Sequence, residues 1–258
     1  MKINLKDNER IDDLEFKDLR IIQNPEGFCF GIDSVLLSDF AKKIKKDAKV
    51  IDLGTGTGII ATLLCGKTNA KIIVGVEVQL DVYDMAKRSI KLNNLEDRFE
   101  VINENIKNLY NIYEKSTFDV VVTNPPYKKE NTGLKNEDTK KLVSRHEVEA
   151  KLEEFIEVSK YLLKDKGEFY MVHRPDRLVD ILSLMRKHKI EPKQIRFVCP
   201  NIDKAPNLVL IKGVKNGGEF LKVENNLYVY NLDGSYTDEI LRIYHKREEN
   251  DQWKEIYT

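Results

Sequence analysis

The stretch from residue 118 to residue 127 constrains the fold of this chain more than any other. Three consecutive valines, Val120 to Val122, form a short β-branched run, which is typical of a strand buried on both faces. Pro125 and Pro126 follow almost at once. Because proline has no backbone N–H and a fixed φ, neither residue can continue a central strand. The chain is therefore predicted to leave a parallel sheet here in a stiff turn, at the strand end where α/β proteins bind ligands.

The turn itself carries groups that suit the recognition of a planar amine. The amide oxygen of Asn124 and the backbone carbonyl of Pro125 would form two fixed hydrogen-bond acceptors for an –NH2 group. Accepting both protons would favour a tetrahedral nitrogen, whose lone pair is then free to attack. Tyr127 would stack on the flat group that carries the amine, and Pro126 stiffens the turn. Taken alone, the same four residues are equally compatible with an ordinary strand-ending loop, so the upstream sequence has to decide.

A glycine-rich turn follows the first predicted strand, residues 50–53. Its residues are Gly54, Thr55, Gly56, Thr57 and Gly58, and an apolar helix begins at Ile59. Glycines at alternate positions allow a tight turn and a close approach of the backbone to a ligand. The spacing differs from the dinucleotide fingerprint, because Ile59 stands where that motif has glycine. Asp52, just before the turn, would repel a phosphate but suits a cationic ligand.

Two polar residues at later strand ends complete the predicted cofactor site. The second strand, residues 71–76, ends at Glu77, which is placed to accept hydrogen bonds from both hydroxyls of a ribose. The third strand, residues 99–102, is followed by Asn105. Asn105 would contact an adenine edge of the cofactor, or serve as the N-cap of the next helical turn.

The order of these features is that of alternating βαβ units with a parallel sheet. In that order the segments 52–58, Glu77 and 124–127 resemble the motifs of S-adenosylmethionine-dependent amino methyltransferases. The resemblance implies an α/β, Rossmann-like class I methyltransferase fold, with a seven-stranded, mostly parallel sheet whose last strand is antiparallel. It also implies S-adenosylmethionine as cofactor. We expect Phe30 or its neighbours to wall the methionine end of the cofactor, and Asp33 is a further candidate cofactor contact. Many members have Asp where Asn105 stands, so the adenine contact is the weakest part of the match.

Two narrower resemblances compete for the substrate. The segments 30–37 and 207–211, with Arg145 and His146, resemble the bacterial valine-tRNA adenine-N6 methyltransferases, which act on an anticodon-loop adenine. The release-factor glutamine-N5 methyltransferases share Asn-Pro-Pro-Tyr because a carboxamide is also a planar amine, but they carry a sizeable helical domain ahead of the glycine motif. We favour a tRNA adenine. DNA or rRNA adenine methylation, a Rossmann oxidoreductase and a non-catalytic RNA-binding protein are also compatible with these motifs.

Basic residues after the turn are candidates for binding the nucleic acid. Residues 128–144 are polar and lysine-rich, beginning with Lys128 and Lys129. A polar stretch of this length beside a site is typical of a binding loop. Arg145 would pair with a phosphate, with His146 beside it; a structural role at a helix start is equally open for both.

The charge balance, the cysteines and the apolar runs indicate where the protein is found and what it contacts. Lys and Arg together number 43, as do Asp and Glu, so the net charge is zero and a nucleic acid would be held by local patches. Three widely spaced cysteines and the absence of a membrane-length apolar run predict a cytoplasmic protein without metal, disulfide or membrane contact. We expect a monomer with three parts: an N-terminal hairpin extension (1–30), a methyltransferase domain (31–213) and a peripheral tail (214–258). The hairpin is inferred from apolar alternations on both sides of a turn at 24–27.

Overall fold

The computed structural model describes residues 4–26, 31–127 and 151–244 of the chain, and these form a central sheet with helices on both faces. In chain order the strands are β1 (Arg10–Asp13), β2 (Arg20–Gln23), β3 (Lys49–Leu53), β4 (Ile72–Glu77), β5 (Phe99–Asn103), β6 (Phe118–Thr123), β7 (Leu163–His173), β8 (Ile190–Cys199), β9 (Leu208–Lys215), β10 (Lys222–Val223) and β11 (Leu227–Tyr228). The α-helices are α1 (Ile32–Phe40), α2 (Ile59–Lys67), α3 (Leu80–Leu92), α4 (Leu152–Leu162), α5 (Leu178–Lys187) and α6 (Asp238–Ile243). Two 3-10 helices span Ile106–Asn111 and Pro175–Arg177.

The main sheet has the strand order β5-β4-β3-β6-β7-β9-β8, which confirms the predicted methyltransferase topology. Strand β9 pairs antiparallel with both β7 and β8, while the neighbouring pairs from β5 to β7 are all parallel. The short strands β10 and β11 both pair parallel with β8, so the sheet has nine strands rather than the expected seven. Segments of two residues are too short to give a strand signal in the sequence.

The sheet separates two hydrophobic cores. Val50, Val120 and Val122 face α1, α2, α3 and α6, whereas Ile51 and Val121 face α4 and α5. Successive residues of one strand therefore serve opposite faces, as the two-residue period of a strand requires. Because both faces are covered, the strands read as continuous apolar runs, as predicted for β6.

An N-terminal hairpin is present, and it lies ahead of the turn that the sequence predicts. Strand β1 pairs antiparallel with β2, and the connection is the segment 14–19, closed by a hydrogen bond from the Leu14 N–H to the Leu19 carbonyl (2.9 Å). The expected turn at 24–27 is described only to residue 26, and the other expected arm, at Phe28 and Phe30, lies outside the described residues. Strand β1 contains a single, exposed apolar residue, Ile11, so no alternation marks it in the sequence.

Part of the C-terminal segment packs against the main sheet. Leu227, Val229 and Ile240 are buried in the core on the α1 side. Thr237 caps α6 by accepting a hydrogen bond from the Ile240 N–H. The division of the chain at residues 30 and 213 stays a prediction. None of the helices within the described ranges is both long and apolar enough to cross a membrane.

Candidate active site at the carboxyl edge of the sheet

The strand register brings the predicted site residues to one edge of the sheet. Leu53 at the end of β3 lies opposite Thr123 of β6 on one side and Val76 of β4 on the other. Gly54, Glu77 and Asn124 therefore sit at the ends of three adjacent strands, which are spaced about 4.8 Å apart. Asn124 is half-buried rather than enclosed in the core. Since β4 and β6 flank β3 on opposite sides, this is also the point where the strand order reverses, the usual ligand site of such sheets.

The three glycines of the turn have different physical reasons to be glycine. Gly54, Gly56 and Gly58 all have positive φ, at 70°, 60° and 90°. A Cβ on Gly58 would lie 3.1 Å from the ring of Phe99, so this position allows α2 to pack closely. A Cβ on Gly56 would meet no atom within 4 Å. The backbone at Gly56 therefore borders open space that a ligand can approach, which fits the predicted cofactor.

Glu77 ties the end of β4 to the glycine turn. Its Oε2 accepts a hydrogen bond from the Gly56 N–H (3.0 Å), and its Oε1 accepts one from the Gln79 N–H (2.8 Å). Burial raises the pKa of this carboxyl above its ordinary value, while the two backbone donors oppose the shift. A carboxylate has about four lone-pair sites, so Glu77 keeps acceptor capacity for ribose hydroxyls.

Asp52 lies beneath the turn instead of facing the open edge. It is fully buried, and its Oδ2 accepts a hydrogen bond from the Thr55 hydroxyl (2.6 Å). Its Oδ1 has no hydrogen-bond partner among the described residues. Desolvation raises the pKa of Asp52 from 3.8 to about 7, and nearby Glu77 adds to the shift. The observed contact of Asp52 is thus with the turn that the predicted cofactor would touch.

Asn124 and Tyr127 are joined to Asp33 in a cluster of side-chain hydrogen bonds. Asp33 Oδ2 accepts from Asn124 Nδ2 (3.1 Å) and from the Tyr127 hydroxyl (2.8 Å). The Tyr127 hydroxyl also lies 2.7 Å from Asn124 Oδ1. Ser34 Oγ is a second, longer contact of Asn124 Nδ2, at 3.4 Å. The first turn of α1 therefore supports the end of β6, although the two segments are far apart in the sequence.

The remaining residues of the turn complete its surroundings. Pro125 is buried and Pro126 exposed. The half-buried Tyr127 ring packs on the ring of His173 at the end of β7, with centroids 5.0 Å apart and planes tilted by 52°. Desolvation lowers the pKa of His173 to about 4, and its Nδ1 accepts a hydrogen bond from the Arg174 N–H (2.8 Å). The imidazole is therefore neutral near pH 7.

Asn105 occupies the N-cap position of the 3-10 helix that follows β5. Its side chain accepts a hydrogen bond from the Lys107 N–H (3.0 Å), which is the second of the two roles predicted for this residue. Five expected site residues lie outside the described ranges: Phe30, Lys128, Lys129, Arg145 and His146. Within the described ranges, no group of three or more His, Cys, Asp or Glu side chains could hold a metal ion.

Sequence reasoning missed two contributions to this site. It placed Asp33 beside the cofactor, without linking Asp33 or Ser34 to Asn124. The signal was present in the segment 30–37, whose polar pair interrupts an apolar helix face, but only the folded chain shows which strand end that pair meets. The packing of His173 on Tyr127 depends on β7 lying beside β6 and has no local signature.

Comparison with known proteins agrees with this geometry. A tRNA1(Val) (adenine(37)-N6)-methyltransferase of Parabacteroides distasonis is 27% identical over 198 residues, covering 77% of this chain and 81% of the relative. The protein of the same name from Tolumonas auensis is 26% identical, covering 88% of this chain and 93% of the relative.

Solved structures share the fold. An Agrobacterium tumefaciens protein described as a predicted O-methyltransferase superposes with a TM-score of 0.65 at 17% identity, over 83% of this chain and 96% of its own. M. jannaschii TYW2, solved in complex with AdoMet, superposes with a TM-score of 0.54 at 15% identity, over 82% of this chain and 87% of its own.

Residues 30–189 match the methyltransferase small domain family, a span of more than half of the chain. This match confirms the predicted methyltransferase class and, with it, S-adenosylmethionine as the methyl donor. The chain belongs to the methyltransferase small domain family.

Proposed function

We propose that this protein is an S-adenosylmethionine-dependent adenine-N6 methyltransferase that acts on RNA, with an anticodon-loop adenine of a tRNA as its substrate. The observation that carries the proposal is the placement of Asn124 one residue beyond the Leu53–Thr123 pair, beside the glycine turn. An amine acceptor and a cofactor-binding turn thereby share one strand edge. The relatives named above, which are tRNA adenine methyltransferases, support the choice of substrate.

The cofactor would be held by groups that the geometry leaves accessible. The backbone of Gly56 borders open space, and Glu77 retains lone pairs for the ribose hydroxyls. Asp52 supports the turn from beneath through Thr55. When bound, S-adenosylmethionine supplies an electrophilic methyl group on a positively charged sulfur.

The substrate amine would be held by Asn124 and Pro125. A carbonyl oxygen has two lone pairs, so Asn124 Oδ1 can accept an amine proton as well as the Tyr127 hydroxyl. The Pro125 carbonyl takes the second amine proton, and Tyr127 offers its remaining ring surface to the base. The nitrogen is thereby drawn toward the tetrahedral geometry that it has in the transition state. Swinging the base out costs little in a single-stranded loop.

No base in the described part of the chain is required before methyl transfer. The substrate nitrogen would take up the methyl group that bound S-adenosylmethionine supplies, and it would lose its extra proton to solvent afterwards. His173 is buried and neutral, and its Nδ1 is engaged by the Arg174 N–H, so it serves as a packing residue. We further propose a cytoplasmic monomer, divided at residues 30 and 213, in which Phe30 walls the methionine end of the cofactor and Lys128, Lys129, Arg145 and His146 contact the RNA.

The test is transfer of a labelled methyl group to unmodified cellular tRNA, followed by mass analysis of the digested nucleosides. N6-methyladenosine in a single tRNA species is the expected product. A parallel reaction with a glutamine-containing release-factor peptide should stay unlabelled. Label in the peptide alone, or in no substrate at all, would refute the proposed function.

When Asn124→Ala is compared with the wild type in that assay, the matched control is Asn216→Ala. Asn216 follows the end of the antiparallel strand β9, at the opposite edge of the sheet, and its side chain contacts Asp165. This variant should methylate tRNA like the wild type, which separates a site effect from a general loss of folded protein.

A further inference from the structure

We infer that Asp33 is a positioning residue for the amine-binding site, an inference that rests on the proposed function and goes beyond the cofactor role expected for it. Asp33 would fix the orientation of the Asn124 amide and draw the Tyr127 hydroxyl hydrogen away from Asn124 Oδ1. Asn124 would then offer that oxygen to the substrate amine without competition from the tyrosine hydrogen.

The Asp33 carboxylate is itself firmly placed. It lies in the first turn of α1 and is only 8% exposed. Its Oδ1 accepts a hydrogen bond from the Ser34 N–H (2.9 Å), which leaves Oδ2 to face the turn after β6. Gly31 makes room for this arrangement, because a Cβ there would lie 2.9 Å from Asp33 Oδ1.

This placement selects one of the two orientations of the Asn124 amide. In the observed orientation Nδ2 donates to Asp33 Oδ2 at 3.1 Å. The flipped orientation would set the amide oxygen against the carboxylate oxygen, and neither of those atoms can donate a hydrogen. The flipped orientation would also replace the acceptor with a donor at the position where the substrate amine must bind. Asp33 thus excludes the orientation that cannot grip an amine.

The Tyr127 hydroxyl supplies the second part of the argument. It has one hydrogen and two acceptors within reach, Asp33 Oδ2 at 2.8 Å and Asn124 Oδ1 at 2.7 Å. When that hydrogen points to Asn124, it occupies a lone pair of the oxygen and weakens it as an acceptor for the amine. When it points to Asp33, the hydroxyl exchanges its hydrogen bond to Asn124 for one to the carboxylate, and the Asn124 oxygen is released. A charged acceptor is the stronger partner, so the carboxylate favours the released state.

The test compares Asp33→Asn with the wild type and with Asp39→Asn. Asp39 is on the same helix about 9 Å further along, and its carboxylate contacts Lys42 and Lys67 instead of the site. Asp33→Asn should lower kcat/KM for tRNA roughly 10- to 100-fold, with the Kd for S-adenosylhomocysteine unchanged within about twofold. Asp39→Asn should match the wild type. A weaker cofactor Kd with unaltered turnover at saturating cofactor would instead make Asp33 a cofactor contact and overturn the inference.

Tyr127→Phe distinguishes the hydroxyl effect from a loss of packing. In a Tyr127→Phe background the competing hydroxyl is absent, so Asp33→Asn should cost several-fold less than it does in the wild type. An equal cost in both backgrounds would rule out the proposed exchange of the hydroxyl hydrogen.

One readout does not depend on turnover. The side-chain amide NMR signal of Asn124, assigned by its loss in Asn124→Ala, should be protected from solvent exchange in the wild type and unprotected in Asp33→Ala, which removes the acceptor. Equal exchange in the two proteins would overturn the inference. An inactive wild type with the expected NMR result would refute only the proposed function.

Discussion

Replacing Asp52 with Asn should change how the stability of the protein depends on pH. The folded-state pKa of Asp52 is raised from 3.8 to about 7, chiefly because the carboxyl is buried. Between these values the folded state holds a proton that the unfolded state has released, so the wild type loses stability as pH rises through this window. At about 1.4 kcal/mol per pKa unit, the loss amounts to about 4 kcal/mol when complete. Asn carries no charge at any pH and should not show it.

The assay is urea denaturation of both proteins, without cofactor, from about pH 4 to about pH 8. Asn can still accept the Thr55 hydrogen bond, but its buried NH2 replaces an oxygen that has no partner, which costs about 1–3 kcal/mol at every pH. The informative quantity is therefore the slope. The free energy of unfolding of Asp52→Asn minus that of the wild type should rise by a few kcal/mol as pH rises. His173, whose pKa is lowered by burial, gives both proteins the opposite pH dependence, and this contribution cancels in the difference. A difference that stays constant would refute a neutral, buried Asp52.

Two further predictions concern the glycine turn and His173. Gly58→Ala should destabilise the protein by about 1–3 kcal/mol, because the new Cβ meets the Phe99 ring at a positive φ. Gly56→Ala, whose Cβ meets no atom within 4 Å, should cost only about 1 kcal/mol of stability yet weaken S-adenosylhomocysteine binding in calorimetry. Equal losses of stability in the two glycine variants, with unaltered binding in Gly56→Ala, would contradict these separate roles. His173→Gln should make stability depend less on pH under acidic conditions. Burial lowers the pKa of His173 from 6.5 to about 4, so the unfolded state takes up the proton first as pH falls. The wild type therefore loses up to about 3 kcal/mol of stability through that window, and the variant should not. Acid denaturation of the two proteins checks this, and superimposable curves would show that His173 is not buried as described.

The parts of the fold that local chemistry specifies were predictable from the sequence. The valine run of β6 had to be a strand with both faces covered, and Pro125 and Pro126 had to end it. The positions of the glycine turn and of Glu77 could also be read from the sequence. A positive φ favours glycine wherever it occurs, and an acidic residue directly after a strand can be recognised without knowing the rest of the fold. These predictions needed no knowledge of which segments meet in space.

The parts that depend on contacts between distant segments were not predictable in this way. The partner of β2 is β1, whose residues carry no alternating pattern, so the sequence did not indicate this pairing. Asp33 meets Asn124 only because α1 packs beside the end of β6, and no local pattern indicates that contact. Asp52 looked like a partner for a cationic ligand, whereas its burial and its bond to Thr55 appear only once α2 covers the strand.

The most direct test of the account is the single-turnover methylation rate of Asn124→Ala on tRNA at saturating cofactor, measured beside its Kd for S-adenosylhomocysteine. Asn124 Oδ1 is proposed to hold the substrate amine, and its removal deletes one preorganised acceptor from the transition state. The rate should therefore fall about 10²- to 10³-fold while the cofactor Kd stays within about twofold of the wild-type value. A near-wild-type rate, or a loss that saturating cofactor restores, would contradict the assignment of this turn as the amine-binding site.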